Sequence, residues 1–548
     1  MSDFFILFEI IFPDINKTPE YYEGIYPPRN MPEGEKVTRL APSPTGYLHI
    51  GVLYMAMCDR RVSDAEGGIS YLRFEDTDKK REVKDGFTDI IEGLDSFGIK
   101  FDEGVMPDGT EKGAYGPYIQ SNRLDIYRCY VKMLIEKGLA YPCFCSEEEL
   151  DEVRKIQESR KLRTGYYGEY AKCRNLTTDE AISLIQAGKK FVVRLRSPGR
   201  EDARISFEDG VKGKVDMPEN DYDLVLLKSD MSPTYHLAHA IDDHLMRTTH
   251  VLRGEEWLSS VPIHLQLFKL LGFKAPKYCH LSLIMKEDTQ TGGKRKISKR
   301  KDPEAAVKFY IEQGYPKESV LEYLLNIANS DFEDWRRINP RKDTKEFKFS
   351  LKKMSLSGAL FDWNKLNDVS KNVISLMKVD NVYEMASEWA QKYEPDFYKI
   401  FTKEPLYMKA VLNIDRETSK PRKDIAKWSD VRGYCSYFFD EFYRPAKDVP
   451  YEKETMGKIL EAYSKIYDPG DDHDMWFKRI RDLCEPFGFS PDIKAYKQNP
   501  EAYKGNVGDV STMIRLAITG RQNSPDIYEI MQLLGYDKVV KRLCQSIV

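Results

Sequence analysis

The stretch VTRLAPSPTGYLHIGVLYM, from Val37 to Met55, sets the strongest limit on the fold: a short apolar run passes through two prolines and two glycines directly into residues spaced as a helix. Val37 to Ala41 reads as a strand, and Ile50, Leu53, Tyr54 and Met57 then recur on one helical face. The pattern repeats. Ile69 to Phe74 is a second strand, Phe87, Ile90, Ile91, Leu94 and Phe97 form the stripe of a following helix, and Leu124, Tyr127, Val131, Leu134 and Ile135 mark another. Strands alternating with amphipathic helices predict a parallel, doubly wound α/β sheet.

At 548 residues the chain exceeds what one hydrophobic core organises, so two to four domains are expected. Hydrophobic residues at 41% and charged residues at 31% exclude a disordered or fibrous chain. The N-terminal FFILFEIIF is much shorter than a membrane span, contains Glu9 and has no basic residues before it, so it reads as a buried segment of a cytoplasmic protein. Nine scattered cysteines are the usage of a reducing compartment. A net charge of −4 gives no global attraction to nucleic acid, so a polyanionic partner needs local basic patches. Residues 1–34 read as an extension and 35–300 as the α/β domain. Within the latter, 143–220 is an insertion: a polar helix, a Tyr/Gly-rich turn and the strand FVVRLR interrupt an alternation that resumes with YDLVLLKSD and THVLRGEEW. Beyond Lys301 the pattern becomes mainly helical.

In a parallel sheet, ligands collect beyond the carboxyl ends of the strands, where helix N-termini present free N–H groups. The opening turn lies there. Pro42 and Pro44 stiffen it, Gly46 and Gly51 permit close approach of a flat or anionic ligand, and His49 can donate to a phosphate. A plain strand-to-helix turn with a solvent histidine has the same spacing. Residues 294–301, KRKISKRK, place six cations in eight positions after the flexible TQTGG. Such a run serves as a solvated face or a polyanion site. Beside a phosphate-binding turn, it can close over a triphosphate and stabilise charge on departing pyrophosphate.

RLAPSPTGYLHIGV (39–52) resembles the HIGH signature, and KISKR (296–300) the KMSKS signature, of class I aminoacyl-tRNA synthetases. RFEDTD (73–78), GPYIQSNR (116–123), PTYHLAHAIDDH (233–244), VLRGEEWL (251–258) and RLAITGRQNSPDIYEIMQLLG (515–535) resemble the bacterial glutamyl branch of that class, in its chain order. The glutaminyl branch has a first motif similar to PEPNGYLHIGH, where this chain has Ser43, Thr45 and a final Val52. The resemblance implies a Rossmann-type catalytic domain with an inserted acceptor-binding domain, a stem-contact region at 301–370 and a helical anticodon-binding region at 371–548. It also implies a monomer that takes ATP with Mg²⁺, L-glutamate and tRNA-Glu.

By the same resemblance His49 and Gly51 meet ATP, Lys299 the α-phosphate and leaving group, Lys296 and Ser298 hold the loop, and Glu256 lies near ATP. Arg39 would meet the glutamate side-chain carboxylate, Glu75 the α-ammonium, and Ala41, Ser43, Tyr235, His239 and Arg253 would complete the pocket. His239 stands where relatives have asparagine. Arg39 with Glu75 as a structural ion pair, and Tyr235 as a core aromatic, are the plain alternatives. Cys143, Cys145 and Cys173 resemble three ligands of a zinc knob, but the histidine expected near Cys173 is Asn175, and Tyr170 is one position off the alternative pattern. Zinc and free thiols both remain open on these residues. Lys420, Arg422, Lys423 and Lys427 beside Trp428, and Arg515 further on, are candidates for tRNA contact, the tryptophan offering a base-stacking surface; a solvated basic helix start, and a structural role for Arg515, are the plain alternatives. A truncated relative that glutamylates a modified tRNA base would lack the C-terminal region, and a non-enzymatic paralogue would have lost His49 or Lys299.

Overall fold

In the computed structural model, which describes residues 3–78, 83–288, 290, 292–298 and 300–545, the apolar N-terminal run folds as helix α1 (Asp3–Ile11), followed by α2 (Pro19–Ile25). Leu7, Phe8, Ile11, Phe12, Tyr22 and Tyr26 are buried. The chain divides into two compact units, Met1–Phe309 with Leu324–Asp362, and Tyr310–Tyr323 with Trp363–Val548. Residues 301–370 are thus shared between them.

The first unit is built on parallel strands. β1 (Val37–Leu40) leads through the glycine-rich turn into α3 (Ile50–Asp64), which returns the chain to β2 (Ile69–Leu72); α4 (Gly86–Ser96) then leads to β3 (Glu103–Val105). β1 pairs with β2 and β2 with β3, all parallel, with Arg39 opposite Tyr71, and β4 (Glu111–Lys112) closes that edge antiparallel. Every residue of β1 is buried, as a central strand covered on both faces requires. Helix α5 (Leu124–Glu136) packs against α1 and α2.

The chain then leaves this sheet. β5 (Ala140–Cys143), β6 (Val192–Leu195) and β9 (Val225–Leu227) form a separate antiparallel sheet, and β7 (Arg204–Asp209) and β8 (Gly213–Pro218) form a hairpin. Helices α6 (Glu147–Ser159) and α7 (Thr178–Gln186) each open on a capping box, Ser146 with Glu149 and Thr177 with Glu180. YDLVLLKSD therefore does not resume the parallel sheet: its strand β9 pairs with β6. A short buried apolar run carries no mark of which sheet it joins.

The parallel arrangement returns after α8 (Tyr235–Leu245) with β10 (His250–Gly254), α9 (Val261–Leu271) and β11 (Lys277–Leu281), Arg253 lying opposite His280. β10 lies beside β1: Thr249 N–H donates to Val37 O at 3.0 Å and Val37 N–H to Thr249 Oγ1 at 2.8 Å. Chain order thus runs outward from β1 in both directions. Such a reversal opens a crevice at the strands' carboxyl ends. β12 (Ile284–Glu287) and β13 (Lys294–Lys296) form an antiparallel pair that carries the basic run.

The second unit is helical, with a core that includes Val382, Phe401, Val411, Trp428, Ile459, Tyr463 and Ile514. Among the described residues no helix is long and apolar enough to cross a membrane.

Candidate active site

The turn after β1 is held from several sides. Glu75 N–H donates to Pro42 O at 3.0 Å, Leu48 N–H to Asp89 Oδ2 at 2.6 Å, and Val307 N–H to Leu48 O at 3.1 Å. His49 is the N-cap of α3, its Nδ1 accepting from Gly51 N–H at 2.9 Å. In the neutral ring this places the proton on Nε2, the orientation of a donor. A Cβ on Gly51 would sit 3.1 Å from the imidazole, so glycine keeps the ring seated. Ala41 and Ser43 lie on the same turn, Ser43 exposed.

Beneath the turn is a buried charge cluster. Arg73 donates to Asp243 at 2.7 Å and to Glu75 at 3.1 Å, Arg123 donates to Asp242 at 2.7 Å, and Arg39 donates to Asp243 at 3.3 Å and to Leu252 O at 3.2 Å. Three guanidinium groups thus face three carboxylates. Burial opposes the charge on Asp243, but Arg73 and Arg39 outweigh it and hold the carboxyl well below the usual range. At Glu75 burial wins over Arg73 and the carboxyl is raised. A proton is therefore more easily held there than on an ordinary glutamate.

Arg253 has different company. Its Nε donates to His280 Nε2 at 3.0 Å, its Nη1 to Tyr235 OH at 3.3 Å and to His264 Nδ1 at 3.2 Å, and its Nη2 to Trp257 O at 3.3 Å. The guanidinium lies over the Tyr278 ring, 4.7 Å from its centroid. His239 Nε2 is 3.0 Å from Tyr278 OH, and its Nδ1 lies 2.9 Å from Asp243 Oδ2. Burial pushes His236 and His239 down to about 4, and His264 and His280 also fall. Four of the chain's eight histidines therefore surround Arg253 as neutral rings at pH 7. Among the described residues no carboxylate lies within ion-pair distance of Arg253. The cluster brings Arg39, Glu75, Tyr235, His239 and Arg253 together; the charges of Arg253, Glu75 and Arg39 all act on Tyr235.

The basic run approaches the same turn. Lys296 pairs with Glu256 at 2.8 Å, and Ile297 is buried as the run's anchor. Asp302 takes both Arg295 amino groups, at 2.6 and 2.7 Å, and accepts from Ser298 N–H at 2.9 Å; Arg295 above all keeps its carboxyl ionised far below the usual range. Ala306, just beyond, bridges to His49. Lys299 lies outside the described residues.

In the insertion, the sulfurs of Cys143, Cys145 and Cys173 lie within 4.8 Å of one another. Tyr166 completes the group: its hydroxyl is 3.3 Å from both Cys143 and Cys145 and accepts from Cys173 N–H at 3.0 Å. Neither Asn175 nor Tyr170 stands at this position in the hydrogen-bond network. Hydrogen bonds from Cys145 and Cys173 favour a thiolate at Cys143, which lies far below the ordinary thiol range. Such a cluster can hold a metal ion.

The family model of class I tRNA synthetases (E and Q), catalytic domain, matches residues 35–368, and an anticodon binding domain model matches 494–547. The chain belongs to the class I tRNA synthetases of this E and Q family. The synthetase is 52% identical over 543 residues to a glutamate–tRNA ligase of Clostridium perfringens, covering 98% of this chain and 99% of the relative. It is 47% identical over 544 residues to one of Acetivibrio thermocellus, covering 99% of each. Among solved structures, a glutamate tRNA ligase of Elizabethkingia meningosepticum in complex with its amino acid matches with a TM-score of 0.72 at 27% identity, covering 94% of this chain and 99% of that one.

The candidate tRNA residues of the synthetase lie in the helical unit. Lys420 and Lys423 are exposed on an irregular segment that precedes the helix at Ser429–Cys435. Arg422 is paired with Asp424 at 2.7 and 3.0 Å. Trp428 does not offer a stacking surface: it is 4% exposed and belongs to the core, because its apolar neighbours Ile425 and Val431 fold inward with it. Arg515 Nη1 donates to Ser524 O at 3.1 Å and Pro525 O at 2.8 Å, tying a turn inside the unit. Sequence reasoning missed Asp302, Tyr166, His264, His280 and Asp209. Only Asp302 left a readable signal, as the first acid after the basic run.

Proposed function

We propose that this chain is a glutamate–tRNA ligase that activates L-glutamate with ATP and transfers it to the 3′-terminal adenosine of tRNA-Glu. The observation that carries the reading is the charge pattern beyond β1, β2 and β10. Glutamate brings two carboxylates and an ammonium, and the crevice offers Arg39 and Arg253 with Glu75 between them in chain order. The buried cluster is balanced internally, whereas Arg253 keeps its positive charge for a ligand with one net negative charge. Arg39 then takes the side-chain carboxylate, Arg253 the α-carboxylate and Glu75 the ammonium, with Tyr235 and His239 closing the walls.

A glutamate α-carboxylate oxygen attacks the α-phosphorus of MgATP, the bond to the β-phosphate bridging oxygen breaks, and pyrophosphate leaves. The 2′-hydroxyl of the terminal adenosine then attacks the carbonyl carbon, loses its proton, and AMP departs. Mg²⁺ arriving with ATP shares the phosphate charge. His49 donates to the phosphates, Gly51 lets the nucleotide approach the helix N-terminus, and Lys299 neutralises the leaving group while Lys296 and Ser298 hold the loop. Glu256, paired with Lys296, orients that strand beside ATP. The reading places the reaction in the cytoplasm, in a monomer, with Lys420 and Lys423 on tRNA phosphates. Charging assays with glutamate and glutamine against purified tRNA-Glu and tRNA-Gln test it: glutamate on tRNA-Glu is expected, and no glutamate transfer to either tRNA would overturn it.

We also read the cysteine cluster as a structural zinc site, with Cys143, Cys145, Cys173 and Tyr166 as the four holders. Zinc there would supply a crosslink and no redox chemistry. Elemental analysis should find about one zinc per chain, absent in Cys145→Ser and weakened in Tyr166→Phe. A fully active protein purified without metal would make the thiols free.

A further inference from the structure

Among the described residues the charge of Arg253 meets neutral acceptors alone, and one of these is oriented from the inserted region. β10 and β11 run in register with Arg253 opposite His280, so the two side chains lie side by side. His280 Nδ1 is 2.6 Å from Asp209 Oδ2, while Asp209 Oδ1 accepts from the N–H groups of Val211 and Lys212 at 2.9 Å each and of His280 at 3.2 Å. A carboxylate cannot donate, so the Nδ1 facing it carries the proton. Nε2 is then an acceptor, as the Nε–H of Arg253 requires at 3.0 Å. Asp209 ends β7, and its hairpin turn is docked on β11: Gly210 N–H donates to Tyr278 O at 2.7 Å, and a Cβ on Gly210 would lie 2.4 Å from Cys279 Sγ.

We propose that Asp209 and His280 are positioning residues for the amino-acid pocket: Asp209 fixes the His280 tautomer, and His280 thereby holds the Arg253 guanidinium in the plane that receives the substrate carboxylate. This rests on the reading that Arg253 faces glutamate. A second carboxylate in direct contact would hold the guanidinium more strongly but would neutralise it; an imidazole of fixed tautomer holds it without competing for its charge. The three N–H groups on Oδ1 make the arrangement directional. In Asp209→Asn, an amide that keeps its oxygen on those groups turns its NH₂ toward His280, which must then accept at Nδ1 and donate at Nε2. Two donors would face each other at Arg253.

Asp209→Asn is therefore expected to raise the KM for glutamate roughly 10–100-fold, the loss of one charge-assisted hydrogen bond, with the KM for ATP and kcat at saturating glutamate changed far less. His280→Gln, whose amide oxygen can accept from Arg253 while its NH₂ faces Asp209, should stay within a few-fold of wild type. His280→Leu should match Asp209→Asn. Arg253→Lys, measured alongside, separates the two levels of the argument. If it raises the glutamate KM while Asp209→Asn and His280→Leu do not, the positioning role is wrong. Equal losses in His280→Gln and His280→Leu would also overturn it, as packing alone. If Arg253→Lys leaves the glutamate KM unchanged, the pocket reading fails and the relay falls with it. Should Asp209→Asn fail to fold, the two His280 variants decide.

Discussion

Arg39→Ala is expected to remove nearly all glutamate-dependent kcat/KM, by about 10⁴–10⁵, because a site built around a dedicated polar partner loses that order when the pairing is broken. Arg39 is 4% exposed and held by Asp243 and Leu252 O, so its guanidinium is set before any ligand arrives. Its loss need not unfold the protein, since Asp243 keeps Arg73 at 2.7 Å. Arg39→Lys retains the charge without the planar fork and should lose much, but less, of the activity. Both variants are compared with wild type in tRNA charging with glutamate and with glutamine, thermal melting serving as the folding control. Wild-type kcat/KM and discrimination in Arg39→Ala would make Arg39 a structural residue and pass the side-chain carboxylate to Arg253.

The second large effect is expected at Lys299. A cation that acts on departing pyrophosphate stabilises the transition state more than bound ATP, so Lys299→Ala should lower kcat about 10²–10³-fold and change the KM for ATP far less. The two ends of its segment give this its physical basis. Ser298 N–H and both Arg295 amino groups are fixed on Asp302, and Lys286 lies 3.4 Å from the same carboxylate. Arg295 and Ser298 of the run are thus engaged in shaping the loop. Steady-state aminoacylation checks the assignment, and an unchanged kcat would sink it.

The parallel core was legible because its signals are local. Ile50, Leu53, Tyr54 and Met57 share a helical face, and all four are buried in α3. What sequence reasoning could not see is set by pairing between distant segments. β9 has the same apolar run as a central parallel strand and joins an antiparallel sheet instead. Tyr166 reaches the cysteines because of how the chain crosses back between α6 and Cys173, whereas spacing drew attention to Asn175 and Tyr170. Trp428 beside four cations looked like a stacking surface, yet side-chain direction, which charge patterning does not encode, turns it into the core. His264 and His280 carried no motif. His280 meets Arg253 because β10 and β11 lie in register, and His264 reaches the same guanidinium from α9.

The family match begins at residue 35, yet the folded unit begins earlier. Glu23 accepts from Arg247 at 2.7 Å and lies 2.6 Å from His244, at the end of the helix that supplies Tyr235, His239 and Asp243. Lys132 on α5 reaches Glu9 at 2.7 Å. Leu7, Phe8, Ile11 and Phe12 are buried, each contributing roughly 1.5–3 kcal/mol. An excised catalytic fragment cut where the family match starts would keep every signature and lose an interior wall. Its α5 would meet water along an oily flank, and the back of the substrate crevice would lose its buttress. A truncation series should therefore treat the leading helices as masonry, although the catalytic-domain family match begins after them.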